Sequence, residues 1–126
     1  MFDSIKISIW GRDFILPILY NCYAGEKVTK SQIKALNMFV QNDGLIEKSK
    51  KYVEDYCRSE VMADGNNSNK DNIFTYVKPV NIFVKHEKIN PRVAIMCKYR
   101  YDTEHGLAVV FMHDGKIIVG NEDIII

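Results

Sequence analysis

Residues Ser4 to Trp10 alternate in polarity, with Ile5, Ile7 and Ile9 on one side and Lys6, Ser8 and Trp10 on the other. A period of two is the signature of a strand with one buried face. Trp10-Gly11-Arg12-Asp13 follows as a turn, with the glycine supplying backbone freedom. Phe14 to Tyr23 is a second strand, and Pro17 within it cannot donate to a ladder. That strand is therefore expected at a sheet edge, or bulged at the proline. The period then changes. Thr29-Lys30-Ser31-Gln32 has the form of a capping box, and Ile33, Leu36, Phe39 and Val40 recur behind it at helical spacing. Asp43-Gly44 ends this helix. A second helix carries Leu45, Ile46, Ser49, Tyr52, Val53, Tyr56 and Cys57 along one stripe, with Glu47, Lys48, Lys50, Lys51, Glu54, Asp55 and Arg58 facing solvent.

From Ala63 to Asn72 no apolar period survives, and Asn, Asp, Gly and Ser dominate. This run is expected to be a mobile, dispensable loop. Strands follow it. Val80 to His86 is opened by Pro79, and Arg92 to Tyr101 by Pro91. The first half of the latter is apolar on both faces, as is Leu107 to His113 until Met112, which predicts central positions in a sheet. Asp114-Gly115 predicts a two-residue type I′ hairpin into Lys116–Val119. After the Gly120–Asp123 turn, Ile124, Ile125 and Ile126 are expected to dock as a short strand or to pack on the core. The pattern as a whole predicts an α+β domain over residues 1–126. Its mostly antiparallel meander sheet, of about five to seven strands, is packed on one face by two consecutive helices.

Composition narrows the function more than it specifies it. Hydrophobic residues are 47% of the 126 and charged residues 26%, which excludes disorder as the main state. Lys plus Arg is 17 against 16 for Asp plus Glu, a formal charge of +1. The basic field of a nucleic-acid binder is missing, and nothing steers the chain toward anionic membranes. No apolar run approaches the ~20 residues of a membrane helix, and the opening residues do not resemble a secretory leader. Cys22, Cys57 and Cys97 form no CxxC or Cys/His spacing. They are expected as reduced, mostly buried thiols in a cytoplasm, with no disulfide and no zinc.

No glycine-rich phosphate loop, GxSxG elbow or HExxH helix is present. The densest polar cluster is Tyr101-Asp102-Thr103-Glu104-His105-Gly106. Asp102, Glu104 and His105 are side chains that can ligate a divalent metal or move protons. The same residues also suit a hairpin turn, in which Asp bonds its own backbone and Gly takes a positive φ. The turn reading is preferred, and no metal or cofactor is expected. His86 and His113 fall at strand ends. Trp10 is either an anchor on an exposed face or a residue covered by a second layer, the second being commoner.

The stretch Val93 to Phe111, with its D-x-E-H-G-x-A-V-V-F turn at Asp102, resembles an uncharacterised family of small bacterial domains of unknown function. Ile9-Trp10-Gly11-Arg12, Gly25-Glu26 and Val28-Thr29 with Gln32 are similar to its N-terminal half. Thr103 stands where that family more often has proline, leaving a less rigid turn. What the resemblance implies is modest: some relatives belong with the immunity proteins of bacterial toxin systems, which bind a toxin and need no chemistry of their own. It carries over no catalytic residues. The expected function is thus a non-catalytic cytoplasmic protein-binding domain whose partner is another protein, such as a toxin. Trp10, Arg12, Asp102, Glu104 and His105 are its candidate binding residues. The alternative is a small hydrolase or metal-dependent enzyme built on Asp102, Glu104 and His105.

Overall fold

A computed structural model describes residues 3–126. Its elements in order are β1 (Asp3–Ile9), β2 (Arg12–Tyr20), α1 (Lys30–Val40), α2 (Asp43–Ala63), β3 (Val77–Val84), β4 (Val93–Tyr99), β5 (Leu107–Phe111) and β6 (Ile117–Gly120). Short 3₁₀ turns lie over Ile73–Thr75 and Glu122–Ile124. The fold is α+β, and the six strands sit in the sheet in chain order. Every neighbouring pair is antiparallel except β2 and β3, which run parallel. That exception follows from connectivity: both helices intervene between β2 and β3, and a crossover can return the chain in the same direction.

The β1–β2 hairpin is tighter than the expected four-residue turn. Strand pairing continues to Ile9↔Arg12, leaving only Trp10 and Gly11 in the loop. Their φ angles are 53° and 85°, the two positive values a type I′ turn requires. Pro17 does not place β2 at an edge, because β2 lies between β1 and β3. Two facts accommodate the proline. Pairing with β3 begins only at Ile18. Counted from the hairpin, Ser4↔Pro17 is also a non-hydrogen-bonded pair with β1, so no ladder bond is lost. Pro79 lies inside β3 rather than opening it, and the register slips there between Pro79 and Asn81. A bulge is where a buried strand tolerates proline.

The capping box forms as read. Gln32 N–H donates to Thr29 Oγ1 at 3.1 Å, and Thr29 N–H donates back to Gln32 Oε1 at 3.0 Å. Gln32 Nε2 donates to the carbonyls of Asn21 and Val84, so this fully buried side chain fastens α1 to the ends of β2 and β3. Asn42 caps α2 by accepting from Leu45 N–H. The helices cover one sheet face over a core that includes Ile9, Ile46, Val53, Ile82, Ile95 and Val109.

Three segments refine or correct the expectations. The 63–72 run is mostly exposed turn, as expected, but it is tied down at Asp64 and Asn67. Ala63 ends α2, Asp64 accepts from Tyr101 Oη at 2.7 Å and pairs with Arg100 at 3.2 Å, and Asn67 is 5% exposed. The run's Asp and Asn side chains accept from backbone N–H groups of the run and its flank, Asp64 from Asn66, Asn67 from Asn69 and Asn72 from Phe74. The β5–β6 turn has one residue more than expected. Gly115 N–H donates to Met112 O, Met112 N–H donates to Lys116 O, and only Gly115 has positive φ, at 89°. That is a three-residue loop with a glycine bulge, not type I′. The tail packs, the second of its two expected outcomes, and forms no strand: after its 3₁₀ turn Ile125 is 1% exposed, while Ile126 is 63% exposed.

Candidate functional site

The Asp102–Gly106 segment is a self-bonded turn. Asp102 Oδ1 accepts from His105 N–H at 3.1 Å and lies 3.2 Å from His105 Nδ1, while Gly106 N–H donates to Asp102 O at 2.9 Å. The His105 backbone N–H is the main reason the Asp102 carboxyl is held below the usual carboxylate range. Gly106 has φ +64°, and a Cβ there would sit 2.6 Å from the Cys97 carbonyl oxygen. Only glycine fits both demands. Glu104 is exposed and takes no part in the Asp102–His105 contact. Among the described residues, no group of three or more His, Cys, Asp and Glu side chains could hold a metal ion. The turn therefore brings together two of its three candidate residues, in an arrangement that closes the β4–β5 connection.

Trp10 is a core residue, 5% exposed, so the covered alternative for it is the one observed. The positive φ of the turn breaks the alternation that would have put it outside. Its Nε1–H donates to Ser49 Oγ at 3.0 Å, and Ser49 Oγ–H donates to the Ile46 carbonyl. Phe74 lies at 5.9 Å ring to ring. Arg12 stays at the surface, its guanidinium 4.2 Å above the Phe74 ring. Trp10 thus fastens the β1–β2 turn to α2, while Arg12 stays available outside it. The thiols do no visible chemistry. Burial pushes the Cys57 thiol up to about 11 and raises Cys97 further.

Strand register reveals a surface that the residue-by-residue reading missed. On the face away from the helices, Leu19↔Phe83, Phe83↔Ala94, Ala94↔Val110 and Val110↔Ile118 are successive cross-strand partners. One unbroken apolar row therefore crosses five strands. Ile125 packs over its middle, with Ala94, Ala108 and Val110. The ends stay open: Leu19 is 41% exposed and Ile118 46%, and Ile15 further along β2 is 74% exposed. A solvated face of an antiparallel sheet ordinarily carries polar side chains.

Lys6, Lys78 and Lys98 lie on this face, with Asp13, opposite Ser8, as a carboxylate on β2. Lys6 pairs with Ile15, and Lys78 stands directly opposite Lys98. Facing like charges destabilise a strand pair, and among the described residues neither lysine has a carboxylate in ion-pair range. The sequence signal for this surface was the apolar run Leu107–Phe111, readable as buried on both faces. Which residues would line up beside it depends on register, and register is not written in any single strand.

The chain belongs to a family described as Domain of unknown function (DUF6985), whose model matches residues 2–126. Searches of curated proteins and of solved structures match nothing.

Proposed function

We propose that this protein is a non-catalytic protein-binding domain that docks its partner on the outer face of the sheet. The observation that carries the reading is the apolar row from Leu19 to Ile118, of which Ile125 covers only the middle. The like-charged Lys78–Lys98 pair sets the partner's chemistry: an apolar surface flanked by Asp or Glu, which would relieve that repulsion. Arg12, exposed at the β1–β2 turn, lies on the helix side of the sheet, opposite Ile9 and over Phe74, and so stands outside this interface. An immunity protein that captures a bacterial toxin is the specific form of this function we carry forward. A cytoplasmic setting fits its three free cysteines.

A photo-cross-linking residue at Ile15 or Ile118, introduced singly into the full chain in its host, tests the proposal. Both positions should trap the same protein, and Lys48 on the helix side should not. Equal trapping at Lys48, or different proteins at Ile15 and Ile118, would refute a single outer-face interface.

A further inference from the structure

A second concavity lies elsewhere, between α1, the loop joining β3 to β4 and the β5–β6 hairpin. Its volume is about 370 Å³. That is near the lower end for small-molecule sites and too small for a folded partner. Phe39, Leu45, Val93 and Phe111 supply its apolar lining. Its walls are held in place. Ser31 Oγ–H donates to the Lys88 carbonyl at 3.3 Å, tying the β3–β4 loop to α1. Asn90 turns that loop at φ 50°, a value asparagine tolerates better than most residues.

Two further features point to an occupant. Ile89, 81% exposed, and Met38, 45% exposed, both border the cleft and would gain apolar contact from a ligand in it. Every residue at the cleft that carries or can acquire a charge is a base: Lys34, Lys88 and His113. No Asp or Glu lines it. Of the carboxylates nearest along the chain, Glu87 pairs with Arg92 at 3.0 Å and Asp114 with Lys116 at 3.7 Å, while Asp43, next to Asn42, forms no ion pair among the described residues. A ligand matching this lining has an apolar body and a negative end. A monoanion suits it better than a dianion, because mostly apolar walls replace less of the lost hydration.

We infer that the cleft binds a small amphipathic carboxylate, its apolar body on Phe39, Val93 and Phe111 and its carboxylate at the Lys34–Lys88 rim. This site stands apart from the outer sheet face and does not depend on the protein-binding proposal. Decanoate is a suitable probe, titrated into the full chain by calorimetry below its micelle concentration, with amide NMR shifts to map the contact. Saturable one-to-one binding is expected, with the largest shifts at Lys34, Met38, Ile89 and His113. The double variant Lys34→Gln/Lys88→Gln should bind at least about tenfold more weakly, and decanol should bind wild type similarly weakly. Both lysines are exposed, so the variant should keep its fold, which circular dichroism checks. Absence of saturable binding, equal affinity for decanol, an unaffected double variant, or shifts centred on Leu19 and Ile118 would each overturn the inference.

Discussion

Replacing Ile125 by alanine should destabilise the protein by about 3 kcal/mol. Ile125 is 1% exposed and packs on Ala94, Ala108 and Val110, on the sheet face opposite the helices. The substitution removes three carbons, or ~2.4 kcal/mol at ~0.8 kcal/mol per buried methylene. A residual cavity adds to this, because Ala94 and Ala108 are too short to move in, and ~2–5 kcal/mol is the usual span for such truncations. With an unfolding entropy of ~2.1 cal/mol/K per residue, 3 kcal/mol corresponds to a Tm lower by about 11 °C. Ile126→Ala is the internal control: it is 63% exposed and should stay within ~0.5 kcal/mol of wild type. Urea unfolding should be followed by circular dichroism and by the fluorescence of Trp10, the sole tryptophan, which reports from the opposite layer. The two signals should shift together for Ile125→Ala. An Ile125→Ala midpoint matching that of Ile126→Ala would refute the claim that the tail covers this face.

Gly106→Ala should cost at least ~2 kcal/mol, since positive φ and the Cys97 carbonyl both oppose it, whereas Gly115→Ala, with positive φ but open space, should cost ~1 kcal/mol; urea midpoints compare the two. Ser49→Ala leaves the buried Trp10 indole N–H without its acceptor, and a loss of ~1–3 kcal/mol together with a displaced indole proton resonance is expected. Asp64, chiefly through the Tyr101 hydroxyl, and Asp102, chiefly through the His105 backbone N–H, have lowered folded pKa values. Their stabilisation is therefore complete above the unfolded value of about 4 and is lost as pH falls below it through the folded values. Asp64→Asn and Asp102→Asn should each flatten the acid limb of the stability profile, measured by urea titration at a series of acid pH values. In thiol titration the native protein should expose only the half-buried Cys22 readily, with Cys57 and Cys97 reacting on unfolding; rapid native labelling of all three would contradict their burial.

The parts of the fold that could be read from sequence were those governed by neighbours in the chain. The Ile5, Ile7, Ile9 alternation and the Thr29–Gln32 box need only a few residues of context, and both stand in the structure. Turn geometry was harder. Asp114-Gly115 has the dipeptide of a type I′ turn but belongs to a longer loop, while Trp10-Gly11 adopts that geometry with a residue rarely found there. The buried hydrogen bond from Trp10 to Ser49 offsets the strain of a positive φ, and that bond spans 39 positions. The Asn-rich segment after α2 is anchored at Asp64 by Tyr101 and Arg100, which come from a distant strand end. Likewise, Asp102 and His105 were legible as a turn, but the outer apolar row was not. Leu19 and Ile118 join it only through four strand pairings, each set by a connection of different length.

The central claim is that the outer sheet face is an interface for an acidic-flanked partner, and affinity measured with paired substitutions tests it most directly. The protein trapped from Ile15 and Ile118 is purified and titrated against wild type, Leu19→Ser/Ile118→Ser, Lys98→Glu and the helix-face control Lys48→Glu. All four mutated side chains are exposed, so the variants should remain folded. The account predicts at least about tenfold weaker binding for the apolar pair and for Lys98→Glu, with wild-type affinity for Lys48→Glu. Wild-type affinity in both outer-face variants would contradict it.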